Sequence, residues 1–210
     1  MKEIGFRELR NMLQAAADQV MRQKAYLSEL DALIGDGDHG QTIARTMEVM
    51  LNALQRGPRD NLKVLLQNIG WEILGVNGGA TGPLLGSLFQ GMSEGMVDND
   101  KIDSGVLSSM FRKAREKVLE VSGASVGDKT MVDVLVPAVE AIEKFSGESD
   151  VRILLDAAAS AAESGAESTI DMRAKKGRAR NMAERSLGHK DPGATSLALI
   201  FKGLSEGSRK

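Results

Sequence analysis

The sequence predicts an all-α protein, built as a bundle or barrel of antiparallel helices. Three observations carry that expectation. Apolar residues recur at helical spacing along nearly the whole chain, glycine-rich breaks separate the stripes, and no convincing run of alternating β-branched residues argues for a sheet.

The elements follow in order. Leu9, Met12, Leu13, Ala16 and Val20 form the first apolar stripe. Ile43, Met47, Met50, Leu51 and Leu54 form the next, and Leu62, Leu65, Leu66, Ile69 and Ile73 the third. Leu107, Met110, Phe111, Ala114 and Val118 follow, then Ala138, Val139, Ile142 and Phe145. Leu154, Ala157, Ala158 and Ala161 form a stripe of small residues that permits close helix packing. The most strand-like stretch is residues 131–136, which runs straight into the stripe at Val139. It reads as helix, with Pro137 at most a kink. Breaks near 34–40, 56–60, 77–82, 98–104, 122–128, 146–150, 172–180 and 188–193 imply about eight or nine helices.

Composition narrows the function. A chain of 210 residues with no long linker reads as one compact domain, 1–210. Lys and Arg number 27 against 29 Asp and Glu, a net charge of -2, so general attraction to nucleic acid or membrane is not expected. The absence of cysteine excludes disulfides, thiolate metal sites and a Cys nucleophile, and two histidines exclude a His-rich metal site. Aromatic residues at 3% are too few for a base-stacking surface. The N-terminal MKEIGFRELRNML mixes charged and apolar residues, which predicts neither a signal peptide nor a membrane span and makes the cytoplasm the expected compartment.

Four breaks carry more chemistry than a turn requires. The first places Asp31, Asp36 and Asp38 within eight residues, alongside His39 and Gly40. Three like charges repel when brought together, and a divalent cation reverses that sign; Asp oxygens suit Mg²⁺ or Ca²⁺. An Asp-Gly turn with Asp38 capping the next helix is the plainer alternative. Gly35, Gly37 and Gly40 match G-x-G-x-x-G by accident, since a helix rather than a strand precedes them; Gln41 and Met47 exclude an EF-hand starting at Asp36. The second, Asn77-Gly78-Gly79-Ala80-Thr81-Gly82-Pro83, allows backbone N–H groups to converge on an anion, with Pro83 expected at the first helical position. The third, Gly127-Asp128-Lys129-Thr130, is not a Walker A motif because Asp128 separates glycine from lysine; a helix cap is its simpler reading. The fourth holds Arg173, Lys175, Lys176, Arg178 and Arg180, followed by His189 to Thr195. A basic run is commonly a solvated face, but here it also suits a bound polyphosphate. Together the loops point to a metal–nucleotide site that is not a P-loop.

In this order the motifs resemble the DhaL family, the nucleotide-binding subunits of dihydroxyacetone kinases. The resemblance spans essentially the whole chain and rests on residues 31–40, 78–83, 127–131, 176–179 and 188–195. It implies a barrel of eight amphipathic antiparallel helices with the nucleotide among the loops at one end. It implies that Asp31, Asp36 and Asp38 bind two Mg²⁺ ions. ADP or ATP would be contacted by His39, Gly40, Gln41, Thr42, Ala80, Thr81, Ser122, Gly123, Met131, Arg178, Asp191, Pro192 and Gly193. Arg178 would offset phosphate charge, and no nucleophile or general base is expected in this chain. His39 is expected to hydrogen-bond, and His189 to be structural. With no room left for a substrate domain, the phosphotransferase-system branch is expected. There a phosphohistidine protein, DhaM, rephosphorylates ADP, and dihydroxyacetone is held on DhaK. Alternatives are an ATP-exchanging subunit of a related ketose kinase, such as one for erythrulose, or an ADP-dependent docking module read by a transcription regulator.

Overall fold

The computed structural model of the chain describes residues 1–97, 100–148 and 150–210. Asp98 and Asn99 of one expected break, and Ser149 of another, lie outside the described residues. Nine α-helices are described: α1 (Phe6–Arg22), α2 (Lys24–Ile34), α3 (His39–Arg56), α4 (Leu62–Leu74), α5 (Thr81–Gly95), α6 (Ser104–Ser122), α7 (Val132–Lys144), α8 (Val151–Ser168) and α9 (Pro192–Gly207). Short 3₁₀ stretches cover Thr169–Asp171 and Arg178–Ser186. The described residues contain no strand beyond a single antiparallel bridge between Ile4 and Ile102.

Eight helices close a ring. Starting from α1, the helices α3 through α9 each pack on the next, and α9 packs back on α1. Helix α2 is the ninth and lies against α3 and α9. The periodicity overlooks α2 because its buried face is only Leu27, Leu30 and Ile34. Helix α7 runs through Pro137, as the apolar pattern predicts. Helix α5 begins two residues before Pro83, which therefore sits third rather than first. Proline is tolerated there because the first four N–H groups of a helix have no intrahelical partner.

Glycines set the tightest seams and show their polarity. A Cβ on Gly91 would lie 2.5 Å from Ala114 Cα, and one on Gly95 would lie 2.5 Å from Met110 Cα. Rising numbers on α5 meet falling numbers on α6, so the two run antiparallel. The same holds for α9 and α1, where Gly203 meets Ala16 and Gly207 meets Met12. The stripes read from the sequence face inward except on α8, where Ala157 and Ala161 are only half-buried and Leu155 and Ala162 join Leu154 and Ala158 on the core side. Phe111 of α6 meets Phe201 of α9 in the core at 5.4 Å between ring centroids. Asn61, Asp103, Asp150 and Asp191 cap α4, α6, α8 and α9, each cap worth about 1 kcal/mol.

In an antiparallel ring alternate connections share an end. The links α2–α3, α4–α5, α6–α7 and α8–α9 therefore gather on one side. These are the four segments the sequence marks as chemically unusual. At the opposite end, the N-terminal amine pairs with Asp150 at 2.7 Å, ahead of α8.

Candidate functional site

The four links enclose a cavity of about 460 Å³. Its acidic corner is built at the end of α2. Asp31 leaves the last turn of that helix, and Gly37 takes a φ of +79° that turns the chain back toward α3. Carboxylate oxygens of Asp31, Asp36 and Asp38 then lie within 4.8 Å of one another. Asp38 sits at the N-cap position of α3, as the turn-and-cap alternative expects, but its carboxylate makes no capping bond. Asp31 Oδ2 accepts the His39 backbone N–H at 3.2 Å instead.

Arg178 spans the other two carboxylates. Its Nη1 pairs with Asp36 and lies 3.1 Å from Asp38 Oδ1. For Asp36, slight desolvation opposes ionisation, but the hydrogen bond and charge of Arg178 outweigh it and hold the carboxyl below the usual range. The donor set fits a hard divalent cation: three acidic oxygens converge, and a cationic group already sits between two of them.

The glycine turn is the second corner. Gly78 and Gly79 have φ of +141° and +54°, and the turn ends at Thr81, the first residue of α5. A Cβ placed on Gly79 would have Arg178 Nη2 as its nearest neighbour, at 3.8 Å, so this turn and the basic segment face each other. Arg45 steadies the turn by donating to the Asn77 carbonyl at 3.3 Å.

The far wall joins α7 and α9. Asp191 caps α9 by accepting the Ala194 N–H at 2.7 Å, and Pro192 is the first residue of that helix. Gly193 brings the backbone close to Met131. Asp191 is buried, which pushes its carboxyl up to about 7 against the opposing Ala194 hydrogen bond and the Lys129 charge. His39 Nε2 lies 3.1 Å from Ser196 Oγ on α9. Burial lowers the His39 pKa, with the charges of Asp31 and Asp38 working against that shift.

Asp31, Asp38, His39, Ala80, Thr81, Ser122, Met131, Arg178, Asp191, Pro192 and Gly193 line the cavity. Asp36 does not line it but pairs with Arg178, which does. Gly40, Gln41, Thr42 and Gly123 do not line it. Gly40 is buried against α2, where a Cβ would meet the Lys24 carbonyl at 2.1 Å. Gln41 is exposed, Thr42 is buried beneath Gly78, and Gly123 is the left-handed cap of α6. Sequence reasoning missed the apolar lining, including Ile34, Ile43, Leu84 and Leu197, because these residues are indistinguishable from core positions in a stripe. It also missed Ser196, and it read Lys129 as part of a cap although the side chain is 1% exposed.

A family model described as the DAK2 domain matches residues 33–206. The chain belongs to the DAK2 domain family. The matched span takes in all four links of the cavity except Asp31. Among DAK2 relatives, the chain is 38% identical over 196 residues to the ADP-binding subunit DhaL of the PEP-dependent dihydroxyacetone kinase of Escherichia coli (strain K12), covering 93% of each. It is 34% identical over 189 residues to the ADP-binding subunit DhaL of the PTS-dependent dihydroxyacetone kinase of Lactococcus lactis, covering 90% of this chain and 91% of that protein. Among solved structures, the dihydroxyacetone kinase from C. freundii in complex with AMP-PNP and Mg²⁺ superposes with a TM-score of 0.70 at 28% identity. That match covers 94% of this chain and 33% of the C. freundii chain.

Proposed function

We propose that this chain is the nucleotide-binding subunit of a dihydroxyacetone kinase. It carries ADP or ATP between a phosphohistidine donor of the DhaM type and dihydroxyacetone held on a DhaK-type subunit. The observation that supports this best is the convergence of three aspartates, a glycine turn at a helix N-terminus and Arg178 on one cavity, in a chain that covers 93% of a DhaL relative. A D-erythrulose kinase of Mycolicibacterium smegmatis is also similar, at 32% identity, but this chain covers only 35% of it. We favour the dihydroxyacetone kinase subunit over the related ketose kinase because the identity to DhaL is higher, 38% against 32%.

Asp31, Asp36 and Asp38 would hold two Mg²⁺ ions, which supply charge neutralisation for phosphate oxygens when bound. Arg178 adds a further positive group beside them. The Gly78–Ala80 backbone and the start of α5 orient the phosphates through N–H groups and the positive end of the helix. Met131, Pro192 and the apolar lining cover the adenosine and keep water out. His39 fixes the metal loop to α9 through Ser196. No side chain of this subunit is assigned as a nucleophile, because phosphoryl transfer needs chiefly positioning and charge stabilisation.

Nucleotide content tests this reading. The purified protein is denatured and any released nucleotide identified by chromatography, with and without prior chelation. About one ADP per chain, lost with Asp36→Asn, is expected. Absence of ADP together with no binding of added ADP and Mg²⁺ would overturn the assignment.

A further inference from the structure

Lys129 lines the cavity beside Asp191, with no contact to the aspartate cluster assigned to it. It is the one fully buried lysine among the described residues. Its backbone takes a φ of +60°, a left-handed conformation that non-glycine side chains rarely adopt. Its Nζ donates to the carbonyls of Thr169 and His189. A buried ammonium is costly unless its hydrogens are satisfied, so a strained and desolvated lysine needs a compensating role.

Its partners identify that role. Thr169 closes the C-terminus of α8, where carbonyl dipoles favour a cation. His189 lies two residues before Asp191, the cap of α9. The Asp191 N–H also donates to Thr169 Oγ1 at 2.9 Å. On the other side, Asp133 in the first turn of α7 accepts the Thr130 N–H at 2.8 Å and also the Gly127 N–H. The 127–131 turn, the end of α8 and the 189–193 segment thus meet at one ammonium. Burial lowers the Lys129 pKa, while the charges of Asp191, Asp171 and Asp133 oppose that change.

We propose that Lys129 is a positioning residue that locks the Asp191–Gly193 wall against the 127–131 turn, so that the nucleotide side of the cavity is formed before nucleotide arrives. This rests on the nucleotide-binding reading above. Lys129 acts on the wall carrying Met131 and Pro192 and leaves the aspartate cluster to its own loop.

Titration of ADP in saturating Mg²⁺, comparing wild type with Lys129→Met, tests the lock. Mn²⁺ binding without nucleotide, followed by electron paramagnetic resonance, reports the aspartate corner separately. ADP affinity should fall about tenfold or more, as for a misplaced wall, while Mn²⁺ affinity stays within about twofold. ADP affinity within about twofold of wild type, or an equal fall in both affinities, overturns the inference. Failure of wild type itself to bind ADP overturns the nucleotide reading instead. Should Lys129→Met not fold, Lys129→Gly accepts the positive φ without strain. Its ADP affinity should be low and restored by n-butylammonium; wild-type affinity without the amine overturns the lock. Hydrogen exchange on the unaltered chain gives a variant-free outcome. The Asp191, Ala194 and Thr195 amides should be protected before ADP is added, and protection that develops only with ADP overturns the proposal.

Discussion

Thr42 lies directly beneath Gly78. A Cβ built on Gly78 would come within 2.6 Å of Thr42 Cγ2, and Gly78 holds a φ of +141°. The buried threonine therefore shapes the glycine turn from below. Gly78→Ala meets both strain and collision, and should cost about 1–3 kcal/mol. For a chain of this size that lowers Tm by roughly 2–4 °C per kcal/mol. Adding Thr42→Ala should recover the part due to collision but not the part due to φ. Strict additivity of the two changes in thermal melts would refute this coupling.

The aspartate corner links stability to ligand. With ADP and Mg²⁺ at about 100 times Kd, wild type should gain about 2.7 kcal/mol. That corresponds to a rise in Tm of roughly 5–10 °C. Asp36→Asn removes one of the three converging carboxylates and should abolish most of the gain. An undiminished rise in the variant would show that Asp36 takes no part in binding.

Asp191 gives a pH signature. Its folded value of about 7 lies above the ordinary carboxylate range because the group is buried. Between about pH 4 and 7 the native state keeps a proton that the unfolded chain releases, so this contribution falls as pH rises through that window and is flat above it. Asp191→Asn keeps an oxygen for the Ala194 N–H and removes the titration. Its stability relative to wild type, from urea unfolding at several pH values, should improve between about pH 4 and 7. A difference that is constant with pH contradicts the raised value.

The α1–α9 seam is intolerant of side chains. A Cβ on Gly203 would fall 2.3 Å from Ala16 Cα, which is backbone and cannot swing aside. Gly203→Ala should destabilise by about 1–3 kcal/mol through overpacking. Gly147, with no atom within 4 Å of an added Cβ, serves as the control, and its alanine variant should be nearly neutral. Equal denaturant midpoints for the two variants would disprove the close approach.

Much of this molecule is legible in the chain alone. Repeats at i, i+3, i+4 and i+7 determine helices because each apolar face must be buried, and the glycine-rich segments mark where those faces are interrupted. The aspartate loop and glycine turn were recognisable because carboxylates and consecutive glycines are unnecessary in ordinary interhelical links. The separation of α2 from α1 was not legible, since nothing in the residue types around Gln23 marks a break there. Nor was the task of Lys129: Gly127-Asp128-Lys129-Thr130 reads as a helix cap, and only contacts 40 and 60 residues away show what the buried ammonium holds.

The sequence by itself determined the helical class, every break but the one at Gln23, and the chemical types available at each of those breaks. Only the tertiary structure decided which breaks share an end, that Arg178 reaches Asp36 from 142 residues away, and that Thr42 supports a turn instead of lining the cavity. Local pattern follows from side-chain burial along one helix. Proximity between loops follows from ring closure and antiparallel seams, which depend on packing between elements far apart in the chain.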